Sequence, residues 1–252
     1  MQITIDLNAD VGESFGAWSM GHDAELMPLI TSANIACGFH AGDPSVMDRT
    51  VALAVRHGVA IGAHPSLPDL AGFGRRPMQI TPDEAYQLVL YQSGALQAFA
   101  HAHGSRLHHI KTHGALYNMA AQDAALSAGI VRAVKAMGDP IILVVPSGSV
   151  TEQIAKDAGL RVVREFFADR RYQANGLLVP RSHPDAMITN QKESIAQVLA
   201  MIQDGCCRSV SGQVFAIQAE TICLHGDHPQ AIAFAKALHA ALAAAAIRIQ
   251  TF

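Results

Sequence analysis

Charge is scarce in this chain: 15% of the 252 residues are Asp, Glu, Lys or Arg, the formal net charge is -3, and no run of Lys and Arg forms a stripe able to neutralise consecutive phosphates. Nucleic acid is therefore excluded as an expected partner. No uninterrupted stretch of about 18 apolar residues occurs, and the alanine-rich Ala240–Ala246 tract is bordered by His239 and Arg248, so no membrane span is expected. The start, Met1-Gln2-Ile3-Thr4-Ile5-Asp6, lacks the basic residues and apolar run of an export signal. Four cysteines, Cys37, Cys206, Cys207 and Cys223, have no CxxC spacing, which rules out a zinc ribbon and argues against a disulfide framework. Free thiols of a cytoplasmic protein are the expectation. Gly12, Gly16 and Gly21 do not make a GxGxxG turn, and no GxxxxGK[ST] is present. A nucleoside triphosphate, if one is used, is then expected on another chain.

What the chain does have is hydrophobic content, 50% of its residues, arranged as short β-branched runs alternating with longer stretches of helical period. That is the pattern of βα units around a mostly parallel sheet, expected here as one domain over residues 1–252. The spacing predicts strands at Ile3–Asn8, Ser32–Cys37, Val59–Ala63, Leu107–Thr112, Ile141–Val145, Arg161–Phe166 and Thr221–Leu224, with Ile247–Gln250 as a further candidate. Helix starts are marked by Thr81-Pro82-Asp83-Glu84, by Asp43-Pro44 with Gly58 as the stop, and by Ser149 with Glu152 and Asn190 with Glu193.

Nearly every strand candidate runs into polar or ionisable residues. The first leads to Asp10 and Glu13, the second to His40 and Asp43, the third to His64, the fourth to His113, the sixth to Asp169 and Arg170, and the one at Thr221 to His225 and Asp227. In parallel α/β folds the carboxyl ends of the strands share one face, so these residues converge although they are far apart in the chain. A lone strand-end His is commonly structural, and Asp43 and Asp227 read better as helix caps than as catalysts. Four strand ends bearing His40, His64, His113 and His225 are a stronger signal of a site. The stretch Ala71-Gly72-Phe73-Gly74-Arg75-Arg76 reads as a Gly-rich loop with two cations, either an ordinary turn or an anion-binding lid.

With those residues in view, the chain resembles the LamB/YcsF family over essentially its full length. The segments carrying the likeness are Asp6 to Gly16, Ala33 to Pro44, Gly62 to Ser66 continuing through Asp69 to Arg75, Lys111 to Tyr117, and Phe167 to Tyr172. The resemblance implies a distorted (β/α) barrel of the glycoside hydrolase/deacetylase type. It also implies ATP-dependent cleavage of 5-oxo-L-proline to L-glutamate together with two further subunits, which would bind the ATP. Asn8-Ala9-Asp10 also looks like the opening motif of metal-dependent carbohydrate deacetylases, so a stand-alone metal-dependent deacetylase or amidohydrolase is the alternative, with Asp10 and two of His40, His64 and His113 on a divalent ion. A non-catalytic binding subunit is the third reading.

On the first reading Asp10 acts as general base, its carboxyl raised by like charge from Glu13, and His64 and His113 protonate the leaving nitrogen. Lys111, two residues before His113, shares its face and meets the developing anion. Asn8, Glu13, Asn34, His40, Arg75, Asp169, Arg170 and His225 are the expected substrate contacts, with Arg75 or Arg170 on the substrate carboxylate. As a rim residue, Asp10 is expected to contribute little burial.

Overall fold

The computed structural model describes residues 2–138, 140–225 and 231–252. Among these residues ten strands and eight α-helices follow one another as β1 (Thr4–Val11), α1 (Asp23–Leu26), β2 (Ser32–Ala36), α2 (Pro44–His57), β3 (Ala60–His64), α3 (Pro82–Ala102), β4 (Leu107–Ile110), α4 (Gly114–Ala120), α5 (Ala124–Ala136), β5 (Ile142–Pro146), α6 (Val150–Asp157), β6 (Val162–Phe167), α7 (Gln191–Asp204), β7 (Cys206–Arg208), β8 (Val214–Ala216), β9 (Thr221–His225), α8 (Ala231–Ala244) and β10 (Arg248–Ile249), with a short 3-10 turn at Met27–Leu29. Strands β1 to β6 and β9 pair in parallel, each with the next, and β9 returns to β1. The sheet is thus a closed parallel barrel of seven strands, one fewer than the usual eight. Among the described residues no helix is long and apolar enough to cross a bilayer.

All seven expected barrel strands form within a few residues of their expected limits. The last candidate also forms, but stays outside the ring: Arg248 and Ile249 pair in parallel with Thr4 and Ile5, at the amino end of β1. The antiparallel hairpin β7–β8 was not anticipated. Three-residue strands are too short for alternation to register.

Strand β1 shows how the barrel divides its two faces. Its sequence, TIDLNADV, alternates apolar and polar, a pattern that on an open sheet marks one solvent-exposed side. Here both sides are buried. Ile5, Leu7, Ala9 and Val11 join the large hydrophobic cluster that packs the helices onto the barrel. Asp6, Asn8 and Asp10 point into the lumen. At the floor Asp6 accepts hydrogen bonds from the hydroxyls of Thr31, Ser32, Thr251 and Thr221. Burial raises its carboxyl above the ordinary value, and those hydroxyls work against the rise. Across the lumen β5 and β6 supply apolar residues, Ile142, Val144 and Val163, against which Phe252 packs.

The helix starts follow the side chains read from sequence, with one difference. Thr81 and Glu84 form a complete capping box at α3, Thr81 Oγ1 accepting from Glu84 N at 3.2 Å and Glu84 Oε2 accepting from Thr81 N at 2.6 Å. Asp43 caps α2 by accepting from Ser45 N and Val46 N, and Gly58 ends that helix at φ 65°. Ser149 and Asn190 cap α6 and α7, but neither box closes. Glu152 turns back to Gly148 N and to Lys156, and Glu193 pairs with Arg171. Charged partners nearby outcompete the reciprocal bond. Thr81→Ala, which removes the one closed box, is expected to destabilise the protein by about 1 kcal/mol, read as a lowered urea midpoint at unchanged slope.

Candidate active site

A lysine in the lumen organises the site. Lys111 follows β4, is 2% exposed, and reaches across the barrel so that Nζ lies 2.9 Å from Asp10 Oδ1 and 2.7 Å from Glu165 Oε1. Nζ also donates to Cys223 Sγ at 3.1 Å and sits over the Phe167 ring. Burial alone would pull the ammonium's pKa down. Attraction from Asp10 and Glu165 outweighs it and holds Lys111 well above the usual lysine value. Tyr117 is pushed upward by burial and then by the Glu165 carboxylate, so its phenol stays protonated and donates to Glu165 Oε2 at 2.7 Å. The Cys223 thiol is likewise raised, by burial and then by Asp10, which keeps it an inert neighbour.

Asp10 ends β1 beside β2, and Oδ1 accepts from Asn34 Nδ2 at 2.8 Å as well as from Lys111. Oδ2 lies 3.3 Å from His64 Nε2. The groups that hold it include a cation, an amide donor and an imidazole, and Glu13, the like-charged neighbour expected from sequence, lines the same cavity. Nor is Asp10 a lightly buried rim residue, being 7% exposed. His64 Nδ1 is 2.7 Å from the Lys111 carbonyl oxygen, which can only accept, so the proton resides on Nδ1 and Nε2 faces Asp10.

Two further imidazoles complete the wall. His40 and His113 stack with centroids 3.8 Å apart at 8°, and His64 meets His113 edge-on at 4.9 Å. Burial first, then neighbouring imidazoles, push His40 and His113 well below the ordinary histidine value, leaving both neutral. His40 Nε2 is 3.6 Å from Glu13 Oε1, and neither ring nitrogen of His40 has a hydrogen-bond partner among the described residues. Phe73 packs edge-on against both rings while its own backbone sits at φ 54°, and Arg75 lies over the Phe73 ring at 4.7 Å. A bulky residue in that region stores strain of about 1–3 kcal/mol.

A cavity of about 500 Å³ opens at the carboxyl ends of the strands, lined by Asp10, Glu13, His64, Arg75, Lys111, His113 and Arg170 together with Tyr117, Glu165 and Phe167. A family model described as the LamB/YcsF family matches residues 5–252. The chain belongs to the LamB/YcsF family. It is 58% identical over 250 residues to the 5-oxoprolinase A-subunit of Bordetella pertussis, 99% of each chain being covered. The 5-oxoprolinase A-subunit of Methylococcus capsulatus is 56% identical, with 99% of this chain and 96% of the relative covered. Among solved structures, the lactam utilization protein from Thermus thermophilus superposes with a TM-score of 0.93 at 48% identity, covering 99% of this chain and 100% of that one.

In this LamB/YcsF chain the remaining expected residues occupy three kinds of position. Asn8 and Asn34 lie beneath Asp10, fully buried, and His40 backs His113. Arg170 reaches the cavity wall, but its guanidinium donates to the carbonyls of Val179 and Ala186, at 2.6 and 3.3 Å, and so secures the loop after β6. Burial lowers its pKa to about 10, with Arg181 adding to the effect. Asp169 is placed away from the cavity, in a separate shallow depression with Ile188, Ser194 and Phe234. His225 ends β9 with its Cα opposite Asp10; its side chain, and the whole of Asp227, lie outside the described residues. Sequence reading missed Glu165, Tyr117 and Cys223. Glu165 stands beside Arg164 between Val162-Val163 and Phe166-Phe167, so the sequence marks two adjacent charges in the strand without showing which of them turns into the lumen.

Two consequences are measurable on the LamB/YcsF chain alone. Lys111→Met strands two buried carboxylates and is expected to cost about 3–5 kcal/mol; Lys111→Met combined with Glu165→Gln should recover part of that loss in denaturant titrations. Because His40 and His113 are held below the ordinary value, the folded chain resists protonation that the unfolded chain accepts near pH 6.5. Their stabilising contribution is therefore complete above about pH 6.5 and falls below it, by up to about 1.4 kcal/mol per pH unit for each histidine. In chelator-treated protein, unfolding free energy should drop between pH 6.5 and 5.5, and His40→Gln should make the drop shallower.

Proposed function

We propose that this chain is the ring-opening component of an ATP-dependent 5-oxoprolinase, acting in the cytoplasm with two partner subunits that bind ATP and activate 5-oxo-L-proline. The observation that carries the reading is the Lys111, Asp10 and His64 array on the floor of a cavity, in a chain alike from end to end to proteins named as 5-oxoprolinase A-subunits. A lactam resists hydrolysis because amide resonance is intact, so the carbonyl needs activation. Transfer of phosphate from ATP to the amide oxygen supplies it.

In this cavity water then bonds to the ring carbonyl carbon. His64 Nε2 takes the water proton, with Asp10 Oδ2 stabilising the imidazolium that results. The Lys111 ammonium faces the charge that builds on the carbon's oxygens. The C–N bond breaks with its electron pair passing to nitrogen, which is protonated from His64 or His113, and the acyl phosphate left behind yields glutamate and phosphate on attack by a second water. Arg75, beside the cavity, pairs with the substrate carboxylate.

A second reading rests on one specific grouping. Glu13, His64 and His113 each place a ligand atom within 4.8 Å of the others, all three buried. Among the described residues His64 Nε2 has no hydrogen-bond partner, and neither has His40 beside Glu13. These donors suit a divalent cation, which would polarise an amide carbonyl. The set differs from the Asp10-centred one expected from sequence.

One reconstitution separates the readings. With co-expressed partner subunits and Mg2+ supplied with the nucleotide, glutamate should form from 5-oxo-L-proline only when ATP is present, and treating this chain with a chelator, removed before assembly, should leave the rate unchanged. Asp10→Asn should lower that rate about a hundredfold to ten-thousandfold. Because Asp10 is buried and paired, the variant should also lose about 1–3 kcal/mol of stability, more than a rim residue would. Amide hydrolysis by the isolated chain without ATP, abolished by the chelator, would favour the metal reading instead.

A further inference from the structure

One tier of the lumen crosses four strands. Asp10 on β1 is in register with Asn34 on β2, Asn34 with Gly62 on β3, and Gly62 with His109 on β4. His109 is fully buried and does not line the cavity, yet its Nε2 lies 2.9 Å from Asn34 Oδ1. The Asn34 amide nitrogen donates to Asp10 Oδ1 at 2.8 Å and to Asn8 Oδ1 at 2.7 Å. Asn8 Oδ1 in turn faces Lys111 Nζ at 3.4 Å, and an ammonium can only donate. The orientations of both amides are thereby set, and the Asn34 oxygen must turn to His109 as an acceptor. His109 answers with an Nε2–H, while its Nδ1 faces His108 Nδ1 at 3.3 Å.

Gly62 supplies the space for this bond. A Cβ there would stand 2.0 Å from His109 Nε2 and 2.3 Å from Cε1, so the imidazole occupies the volume a side chain would fill. The Gly62 backbone is not in the left-handed region, which leaves clearance as the reason for glycine.

We propose that His109 is a positioning residue for Asp10: it reaches over Gly62, holds the Asn34 carbonyl, and so aims the Asn34 amide at the Asp10 carboxylate. The ammonium of Lys111 and the Asn34 N–H then converge on Oδ1, and Oδ2 is left directed at His64. Burial, followed by the neighbouring His108, Lys111 and His64, keeps the His109 imidazole neutral, as a one-proton donor requires.

Two measurements test this, and the first does not depend on the ring-opening reading. In the intact chain, the imidazole nitrogen NMR shifts of His109 should report the neutral Nε2–H tautomer throughout pH 6 to 8; the Nδ1–H tautomer or an imidazolium would overturn the proposal. The second rests on the ring-opening reading and uses the reconstituted complex. His109→Leu should lower kcat for glutamate formation about tenfold to a hundredfold with KM within about twofold of the parent, whereas His109→Gln, which keeps an N–H at the same place, should recover kcat to within about threefold. Gly62→Ala, which displaces the ring, should follow the Leu variant. Parent-like kcat in the Leu variant, or equal losses in the Leu and Gln variants, refutes positioning. Should the Leu variant fail to fold, the contrast between Gln and Gly62→Ala, read with the tautomer, decides.

Discussion

A single ammonium that must not be left alone in the barrel governs the interior of this protein. Moving an isolated lysine out of water is prohibitive, and the chain meets that constraint from three strands at once: a carboxylate from β1, a carboxylate from β6 and a thiol from β9. Each of those groups then has requirements of its own. Glu165 needs the Tyr117 phenol, Asp10 needs the Asn34 amide, and the amide needs acceptors at its nitrogen and a donor, His109, at its oxygen. Half the lumen is polar because the first charge is there. The other half, with Ile142, Val144 and Val163, can remain apolar because Lys111 finds its partners elsewhere.

The same logic explains why the fold was easy to read and the site only partly so. Strand limits are written in local alternation, and helix starts in hydroxyls and carboxylates a few residues apart, so β1 to β6, β9 and α3 could be placed from the chain itself. The convergence of Asp10, His64, Lys111 and His113 follows from parallel topology alone. Which way each strand-end side chain points does not. Asp169 and Arg170 are neighbours in sequence, but Asp169 sits in the turn after β6, where strand alternation no longer fixes direction; it lies in a separate depression, and Arg170 is occupied with the carbonyls of Val179 and Ala186. Glu165 was overlooked because an acid inside a strand has no meaning until the lysine it serves is seen across the lumen.

The histidines illustrate how burial changes a residue's chemical character. In water His40 and His113 would be partly charged near neutrality and would repel at a ring separation of 3.8 Å. Withdrawn from solvent they are neutral, and stacking becomes favourable. Phe73 leans on both rings from a backbone conformation it would not choose, and the loop carrying Arg75 is held by that contact together with Asp69, which accepts from Gly72 N and from Arg76.

The pairing of β10 with the first residues of β1 has a practical side. Residues 4–5 and 248–249 lie side by side at the amino end of the barrel, and Thr251 hydrogen-bonds Asp6 and Thr31 there. The cavity is at the other end. A fluorophore or surface tether attached beside this pairing, for instance through a cysteine substituted at the exposed Ile3, therefore emerges from the pole facing away from the cavity mouth and leaves it unobstructed.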